Sequence, residues 1–185
     1  PNMVIQMVAI GEEAGSLALA LDAQNRERQR IEKTIAQQAL NQVRASFKPD
    51  EDFVIVEGDV LWHVGVVGIV ASRVLQQFNR PTIIVGGDGV HWRGSGRSID
   101  GFNLAEALGA CADLLVRHGG HAMAAGLTLQ PQNIDALRSR LNEVAHRGLS
   151  LDQFQPSLPL DAEVELKEVS LECLSWLNRL NPNGQ

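Results

Sequence analysis

Two glycine-rich segments constrain the fold of this chain more than any other feature. They cover Gly94–Ser98 and Gly119–Gly126, with 20 residues between them. Because glycine has no Cβ, both segments can turn sharply or let another molecule approach the backbone, and we predict a loop at each. The first contains an arginine and two serines and the second a histidine, all of which donate hydrogen bonds to phosphate or carboxylate oxygens. Two such loops that meet in space form an anion-binding site.

The pattern around these segments predicts an α/β fold, in which a mixed sheet with flanking helices is preceded by a long helix. Leu17–Arg44 contains no Gly or Pro and is rich in helix-forming residues, which predicts a single helix. Asn103 is a candidate cap for a helix between the two glycine segments. The order that follows is β-α-β-β-α-β-α, with strands at 53–56, 82–85, 90–93 and 127–129, helices at 64–78, 103–117 and 131–145, and a hairpin turn at 86–89.

The charge of the chain is distributed so that an anion site is possible near the glycine segments. The net charge is −6, but residues 58–129 contain five acidic side chains and five arginines, and so are neutral. The same window holds four of the five histidines. Arginine suits bidentate phosphate contacts. The acidic surplus outside this window argues only against strong non-specific binding to DNA, which needs many phosphate contacts.

The composition predicts a cytoplasmic domain with one main core. The chain has 185 residues, of which 44% are hydrophobic, and this is enough for a core of ordinary size. No apolar run reaches the roughly 18 residues of a membrane span, and we expect no membrane partner. Cys111 and Cys173 have no nearby cysteine, which predicts neither a disulfide framework nor a zinc site.

His63–Arg73, together with the two glycine-rich segments, resembles the DHH-associated domain of RecJ-type single-strand-specific exonucleases, a branch of the DHH phosphoesterase superfamily. Residues 22–29 resemble the linker helix that precedes this domain in the family. Residues 160–163 and 180–184 resemble the beginning of the family's oligonucleotide-binding barrel. The resemblance implies three regions, which are a linker helix region from the preceding catalytic domain at 1–48, the substrate-binding domain at 49–147, and a linker with the start of the barrel at 148–185.

The resemblance implies the substrate-binding part of a single-strand-specific 5′-to-3′ DNA exonuclease of DNA repair and recombination. Its partners would be single-stranded DNA and a missing N-terminal catalytic domain of the same chain, which in the family holds Mn²⁺ or Mg²⁺. No Asp-His-His motif occurs here, and Asp50 and Asp52, which follow Pro49, predict a solvated turn. We therefore expect a fragment that holds no metal and is inactive alone, whereas its full-length parent is a metal-dependent phosphodiester hydrolase.

The resemblance also implies roles for individual residues. His121 would touch the scissile phosphate and support catalysis there, and Arg97 would hold the 5′-terminal phosphate. The substrate-binding set that it implies is Ser95, Gly96, Arg97, Ser98, Gly119, Gly120 and His121. Three further residues are possible additions, namely Arg93, Trp92 and His63.

The residues by themselves leave simpler interpretations open. His121 can be a turn histidine bonded to a backbone carbonyl, Arg97 a surface arginine paired with Asp100, and Trp92 either a base-stacking residue or a core residue. Two other functions also stay open. One is a DHH-superfamily phosphodiesterase that acts on short RNA or cyclic dinucleotides, and the other is a non-catalytic module that binds another protein.

Overall fold

The computed structural model describes residues 12–87, 90–155 and 163–179. They belong to two compact units, of which the first ends at Gln155 and the second begins at Pro156. No helix in these ranges is both long and apolar enough to cross a bilayer. In the described part of the first unit the elements are α1 Glu12–Ser46, β1 Ile55–Asp59, α2 Val67–Phe78, β2 Thr82–Gly87, β3 Trp92–Arg97, α3 Leu104–Gly109, β4 Leu115–Gly120, β5 Ala124–Leu129 and α4 Ile134–Gly148.

The five strands form one mixed sheet in the order β1-β2-β3-β5-β4. Strands β1 and β2 are parallel, and α2 forms the crossover between them that a parallel pair requires. The other neighbours are antiparallel. The sheet therefore has a parallel half next to α2 and an antiparallel half made of β3, β5 and β4.

Each face of the sheet has its own hydrophobic core. Because side chains alternate along a strand, Val56 faces a core shared with α3 and α4, while Ile55 faces a core shared with α1 and α2. On β5 the buried side chains, Leu127 among them, all belong to the α3–α4 core. The opposite face of β5 carries Gly126, which is exposed. We call this surface of β3, β5 and β4 the open face, although α2 lies over its β3 edge at Ser95 and Arg97.

The sequence pattern predicted the α/β class, the long N-terminal helix and the cap at Asn103, and the structure confirms all three. The Asn103 side chain accepts a hydrogen bond from the Glu106 N–H at the start of α3. The turn at Asp50 is also confirmed, since the Asp52 N–H donates to the Lys48 carbonyl at 2.8 Å. The predicted hairpin turn includes residues 88 and 89, which lie outside the described ranges.

Three predictions about the glycine segments and the residues between them were wrong. Of the loop predicted at Gly119–Gly126, only residues 121–123 lie outside strands β4 and β5. Gly94–Arg97 is not a loop but most of strand β3, paired on both sides along its length. The predicted helix over 103–117 ends at Gly109, and Leu115 already has extended dihedral angles and begins strand β4. The helical spacing of the sequence is overridden here because pairing with β5 satisfies the backbone of β4.

Residues 149–155, predicted as linker, close the first unit instead. Leu149 and Phe154 are buried in the α3–α4 core, and the Arg80 guanidinium lies 3.6 Å from the centre of the Phe154 ring. In the second unit, Ser170 accepts a hydrogen bond from the Cys173 N–H at 3.1 Å, at the start of α5 Leu171–Asn178. Before α5, Leu166 starts a short 3₁₀ turn.

Candidate anion-binding site

The open face gathers polar and glycine residues from three neighbouring strands. Opposite residues on paired antiparallel strands share a face, so the pairing register brings the predicted site residues of β3 together with residues of β5 and β4. One row across the sheet contains Ser95, Gly126 and Gly119, and the next contains Arg93, Thr128 and Arg117. Arg97 lies at the end of β3 opposite Ala124. The two glycine segments thus meet through strand pairing rather than as two loops.

Arg97 is held against the strand that carries it. Its Nη1 donates to the Ser95 hydroxyl at 2.7 Å and to the Gly96 carbonyl at 2.8 Å. Helix α2 passes directly above, because a Cβ placed on Gly68 would lie 3.0 Å from Arg97 Nη2 and 3.2 Å from Ser95 Oγ. Gly68 therefore leaves room for both polar groups beneath the first turn of the helix.

The amino end of α2 adds backbone donors to the same place. The residue at its N-cap is Val66, and no side chain of the described residues caps the helix. The first N–H groups of a helix and its dipole favour an anion. A guanidinium, a hydroxyl and a helix amino end thus converge beside Gly68, and all three favour an oxyanion such as phosphate.

The strands of the open face carry positively charged side chains and no negatively charged ones. Within residues 12–87, 90–155 and 163–179, none of Arg93, Arg97 and Arg117 forms an ion pair, whereas arginines elsewhere, such as Arg73 with Glu32, do. The guanidinium groups on this face are therefore available to a negatively charged ligand.

The glycines of the two segments have different structural roles. A Cβ on Gly96 would lie 2.5 Å from Leu104 Cδ2, so the α3–α4 core requires glycine there. A Cβ on Gly119 would meet nothing within 4 Å, and one on Gly126 would meet only a carbonyl oxygen at 3.9 Å. Packing within the described chain does not demand glycine at these two positions. A bare backbone on an open surface suits close approach by a ligand.

His121 follows β4 in the short hairpin that leads into β5. Gly120 has φ +148°, and its Cβ would lie 2.5 Å from the Ala124 carbonyl oxygen, so this position requires glycine. The His121 N–H donates to the same carbonyl at 2.8 Å, while the side chain is exposed. The fold holds the backbone of His121 and leaves its imidazole accessible near the Arg97 end of β3.

The structure does not bring every predicted residue to this face. Ser98 is 5% exposed, and its hydroxyl donates to the Phe102 carbonyl at 2.7 Å. Trp92 packs against the α3–α4 core on the opposite side of the sheet, which favours its interpretation as a core residue over a base-stacking role. His63 is exposed in the loop before α2, where its Nδ1 accepts the Gly65 N–H at 3.1 Å.

The sequence pattern did not indicate Arg117 and Thr128 as residues of this face. The signal for Arg117 is its spacing of two residues from Gly119, which puts both on one face of a strand. Assigning this segment to a helix concealed that relationship. Among the described residues, no group of three or more His, Cys, Asp or Glu side chains is placed to hold a metal ion.

Comparison with known proteins identifies close relatives. Residues 50–147 match the family model described as the DHHA1 domain. The chain is 39% identical over 175 residues to the single-stranded-DNA-specific exonuclease RecJ of Bacillus subtilis, and 34% identical over 184 residues to that of Escherichia coli. These alignments cover 93% and 94% of this chain but 22% and 31% of the relatives, so the chain spans less than a third of their length.

Solved structures give the same result for the fold. The chain is similar to RecJ from Thermus thermophilus in complex with Mn²⁺, with a TM-score of 0.76 and 31% sequence identity. That match covers 93% of this chain and 25% of the other. An exonuclease RecJ bound to manganese matches 76% of this chain and 36% of its own, with a TM-score of 0.64 and 33% identity.

Proposed function

The chain belongs to the DHHA1 domain family, and we propose that it is the substrate-binding part of a single-strand-specific 5′-to-3′ DNA exonuclease of the RecJ type. One observation above all supports this proposal. Arg97 and Ser95 are held together at 2.7 Å beneath the uncapped amino end of α2, which is an arrangement suited to a phosphate group. Relatives named as single-stranded-DNA-specific exonucleases match almost the whole chain. DNA repair and recombination are the cellular processes that we propose for it.

Within this proposal, the site beside Gly68 holds the 5′-terminal phosphate of the strand. A terminal phosphate carries more negative charge than an internal one, and the arginine fork and the helix amino end both favour that charge. The hydroxyl of Ser95 adds a further donor. Recognition of the terminal group fixes the distance from the strand end to the bond that is cut, which explains how an exonuclease selects its first bond.

We assign His121 to the scissile phosphate. Its exposed imidazole projects from a hairpin whose backbone is fixed by Gly120 and by the bond from His121 N–H to Ala124. As an N–H donor, it can stabilise negative charge that develops on a phosphate oxygen during the reaction. Fixing the strand at both phosphates also orients the bond between them, which lowers the entropic part of the barrier.

Only the relatives give a reason to include divalent metal ions in this proposal. RecJ structures have been solved in complex with Mg²⁺ and with Mn²⁺, but the described residues of this chain provide no metal-binding cluster. We propose that in the full-length protein Mn²⁺ or Mg²⁺ is held by a separate N-terminal catalytic domain, which is the second partner of this region besides the DNA. The role of the present chain is then to bind and position the strand.

The test is the affinity of this chain for a short strand with and without a terminal phosphate. Oligo-dT of about 12 nucleotides, a length that spans an ordinary single-strand site, carries fluorescein at its 3′ end so that the 5′ end stays free. Anisotropy at low salt is measured for the 5′-phosphorylated and the 5′-hydroxyl strand, for the parent chain and for Arg97→Ala. Arg147→Ala, which alters an exposed arginine at the end of α4, is the matched control.

We expect tighter binding of the phosphorylated strand, with this preference lost in Arg97→Ala and kept in Arg147→Ala. Equal binding of both strands by the parent chain would contradict the assignment of the terminal phosphate. Tighter binding of a dinucleotide or cyclic dinucleotide than of the longer strand would favour a phosphodiesterase of short substrates. Absence of any binding to DNA would contradict a substrate-binding role for this chain and favour a protein-interaction module.

A further inference from the structure

Arg93 and Arg117 lie in one row across the open face, on either side of Thr128. Thr128 of β5 pairs with Arg93 of β3 on one side and with Arg117 of β4 on the other. Neighbouring strands are about 4.8 Å apart, so the backbones of the two arginines are separated by about 10 Å. Side chains as long as arginine bridge that distance easily, and both can reach one ligand above Thr128.

The surroundings of this row favour the binding of an anion. Both arginines are exposed, and within the described ranges neither forms an ion pair with a carboxylate. They line a groove of about 420 Å³ that also borders Gly119 and Gly126. Because a Cβ at Gly119 would meet no atom within 4 Å, the space above these glycines is open, and a ligand can lie directly on the sheet.

Arg93 also borders a second hollow. This hollow has a volume of about 650 Å³ and contains the exposed apolar side chains of the β1–α2 loop, Leu61 among them, together with the imidazoles of His63 and His91. Arg93 is therefore placed between the cationic groove and a hollow lined by both apolar side chains and imidazoles. A nucleotide can occupy both, with its anionic phosphate in the groove and the face of its flat base stacked in the hollow.

We propose that Arg93 and Arg117 clamp a second backbone phosphate of single-stranded DNA, separate from the terminal phosphate at Arg97 and Ser95. This inference rests on the proposed function of the chain. The two sites are distinct because the Arg97 guanidinium is held over Ser95 and Gly96 by its hydrogen bonds, whereas Arg93 and Arg117 flank Thr128 in the next row. The second site recognises the DNA backbone whether or not the strand carries a 5′-phosphate.

The experiment compares Arg93→Gln/Arg117→Gln with Arg97→Ala in the same 185-residue chain, with Arg147→Ala as control. Affinity for 3′-labelled oligo-dT is measured with a 5′-phosphate and with a 5′-hydroxyl, over a series of salt concentrations. Thermal melting of each variant establishes that it is folded. We expect the double variant to bind both strands roughly tenfold more weakly, as loss of charge-assisted hydrogen bonds implies, and to show a salt slope smaller by about 0.7 for one lost phosphate.

Arg97→Ala is expected to weaken binding of the phosphorylated strand alone. Wild-type affinity in the double variant, while Arg97→Ala still removes the preference for a 5′-phosphate, would overturn the second site and leave the proposed function standing. A loss in the double variant that disappears with the 5′-hydroxyl strand would also overturn it, because all three arginines would then serve one phosphate. If the parent chain binds neither strand, the proposed function fails and this inference fails with it.

Discussion

Arg97 donates a hydrogen bond from Nη1 to the hydroxyl of Ser95 at 2.7 Å. The protein itself thus fixes the guanidinium that we assign to the terminal phosphate. A side chain that is already ordered loses less conformational entropy when a ligand binds, so more of the interaction energy contributes to affinity. The small residue above it, Gly68, is part of the same arrangement because it leaves space for the two polar groups.

Arg97→Lys is predicted to lose most of the preference for a 5′-phosphorylated strand even though it keeps the positive charge. A lysine cannot reproduce the planar fork that contacts Ser95, the Gly96 carbonyl and a phosphate together. Ser95→Ala is expected to lose less, because the guanidinium remains. The affinities of the two single variants and of the double variant give their coupling energy, and strictly additive losses would show that Ser95 does not position Arg97.

Gly126→Ala is predicted to leave stability unchanged and to weaken binding of single-stranded DNA. Its Cβ would project into open space over the sheet, where we place the strand. Gly96→Ala is the contrasting variant, because its Cβ would lie 2.5 Å from Leu104 in the core, and overpacking of this kind costs about 1–3 kcal/mol. Urea unfolding and anisotropy separate the two effects. A Gly126→Ala chain that binds as tightly as the parent would argue against a strand lying on β5.

Glu57 is predicted to make the stability of the chain depend on pH. Burial raises the pKa of this carboxyl above its ordinary value of 4.5, and this outweighs the opposing effect of Arg138, whose Nη2 lies 3.6 Å away. A raised pKa in the folded state means that the protonated form is favoured there. The stability that Glu57 contributes is therefore present below pH 4.5 and is lost as the pH rises through the folded-state pKa.

Glu57→Gln tests this prediction because glutamine stays neutral at every pH. We expect the free energy of unfolding of the variant to rise relative to the parent between about pH 4 and 7. The comparison uses urea unfolding at several pH values, and the difference between the two chains is the quantity of interest. A constant difference across this range would mean that the ion pair with Arg138 compensates for the burial of the carboxylate.

The sequence predicted the class of fold and the long helix correctly. Ser95 and Arg97 do lie together, with a hydrogen bond between them, but in a strand rather than in the predicted loop, and their binding role stays a prediction. The strand β3 was mistaken for a loop because glycine is common in turns. Here glycine is needed at positions 94 and 96 because both lie on the face of β3 that packs against the core, beside residues such as Leu104. Only the tertiary neighbours distinguish these two reasons for glycine.

The strand β4 was concealed for a related reason. Residues 104–117 have helical spacing over much of their length, yet the chain turns after Gly109 and Leu115 pairs with Leu129 of β5. The Asn133 side chain fixes this change of direction by donating to the Leu114 carbonyl at 2.9 Å. The spacing of Arg117 from Gly119 indicates a shared face only once this segment is known to be a strand, and that depends on its long-range pairing with β5.

His121→Ala is predicted to lower turnover in the full-length protein by roughly a hundredfold, the usual effect of losing one donor to developing charge. KM should change little, because the arginines of the open face supply most of the binding. The His121 side chain is exposed, so we expect the melting temperature to stay the same. Met123→Ala, which alters another exposed side chain of the same hairpin, is the matched control.

Gly120→Ala is the contrasting variant, because it keeps the imidazole of His121 but disturbs the hairpin backbone that holds it. Alanine at φ +148°, with its Cβ 2.5 Å from the Ala124 carbonyl oxygen, should cost about 1–3 kcal/mol of stability and displace His121. Turnover should therefore fall in both variants, but the melting temperature only in this one. Full turnover in His121→Ala together with a loss in Gly120→Ala would assign the hairpin a purely structural role, since the imidazole would then contribute nothing to the reaction.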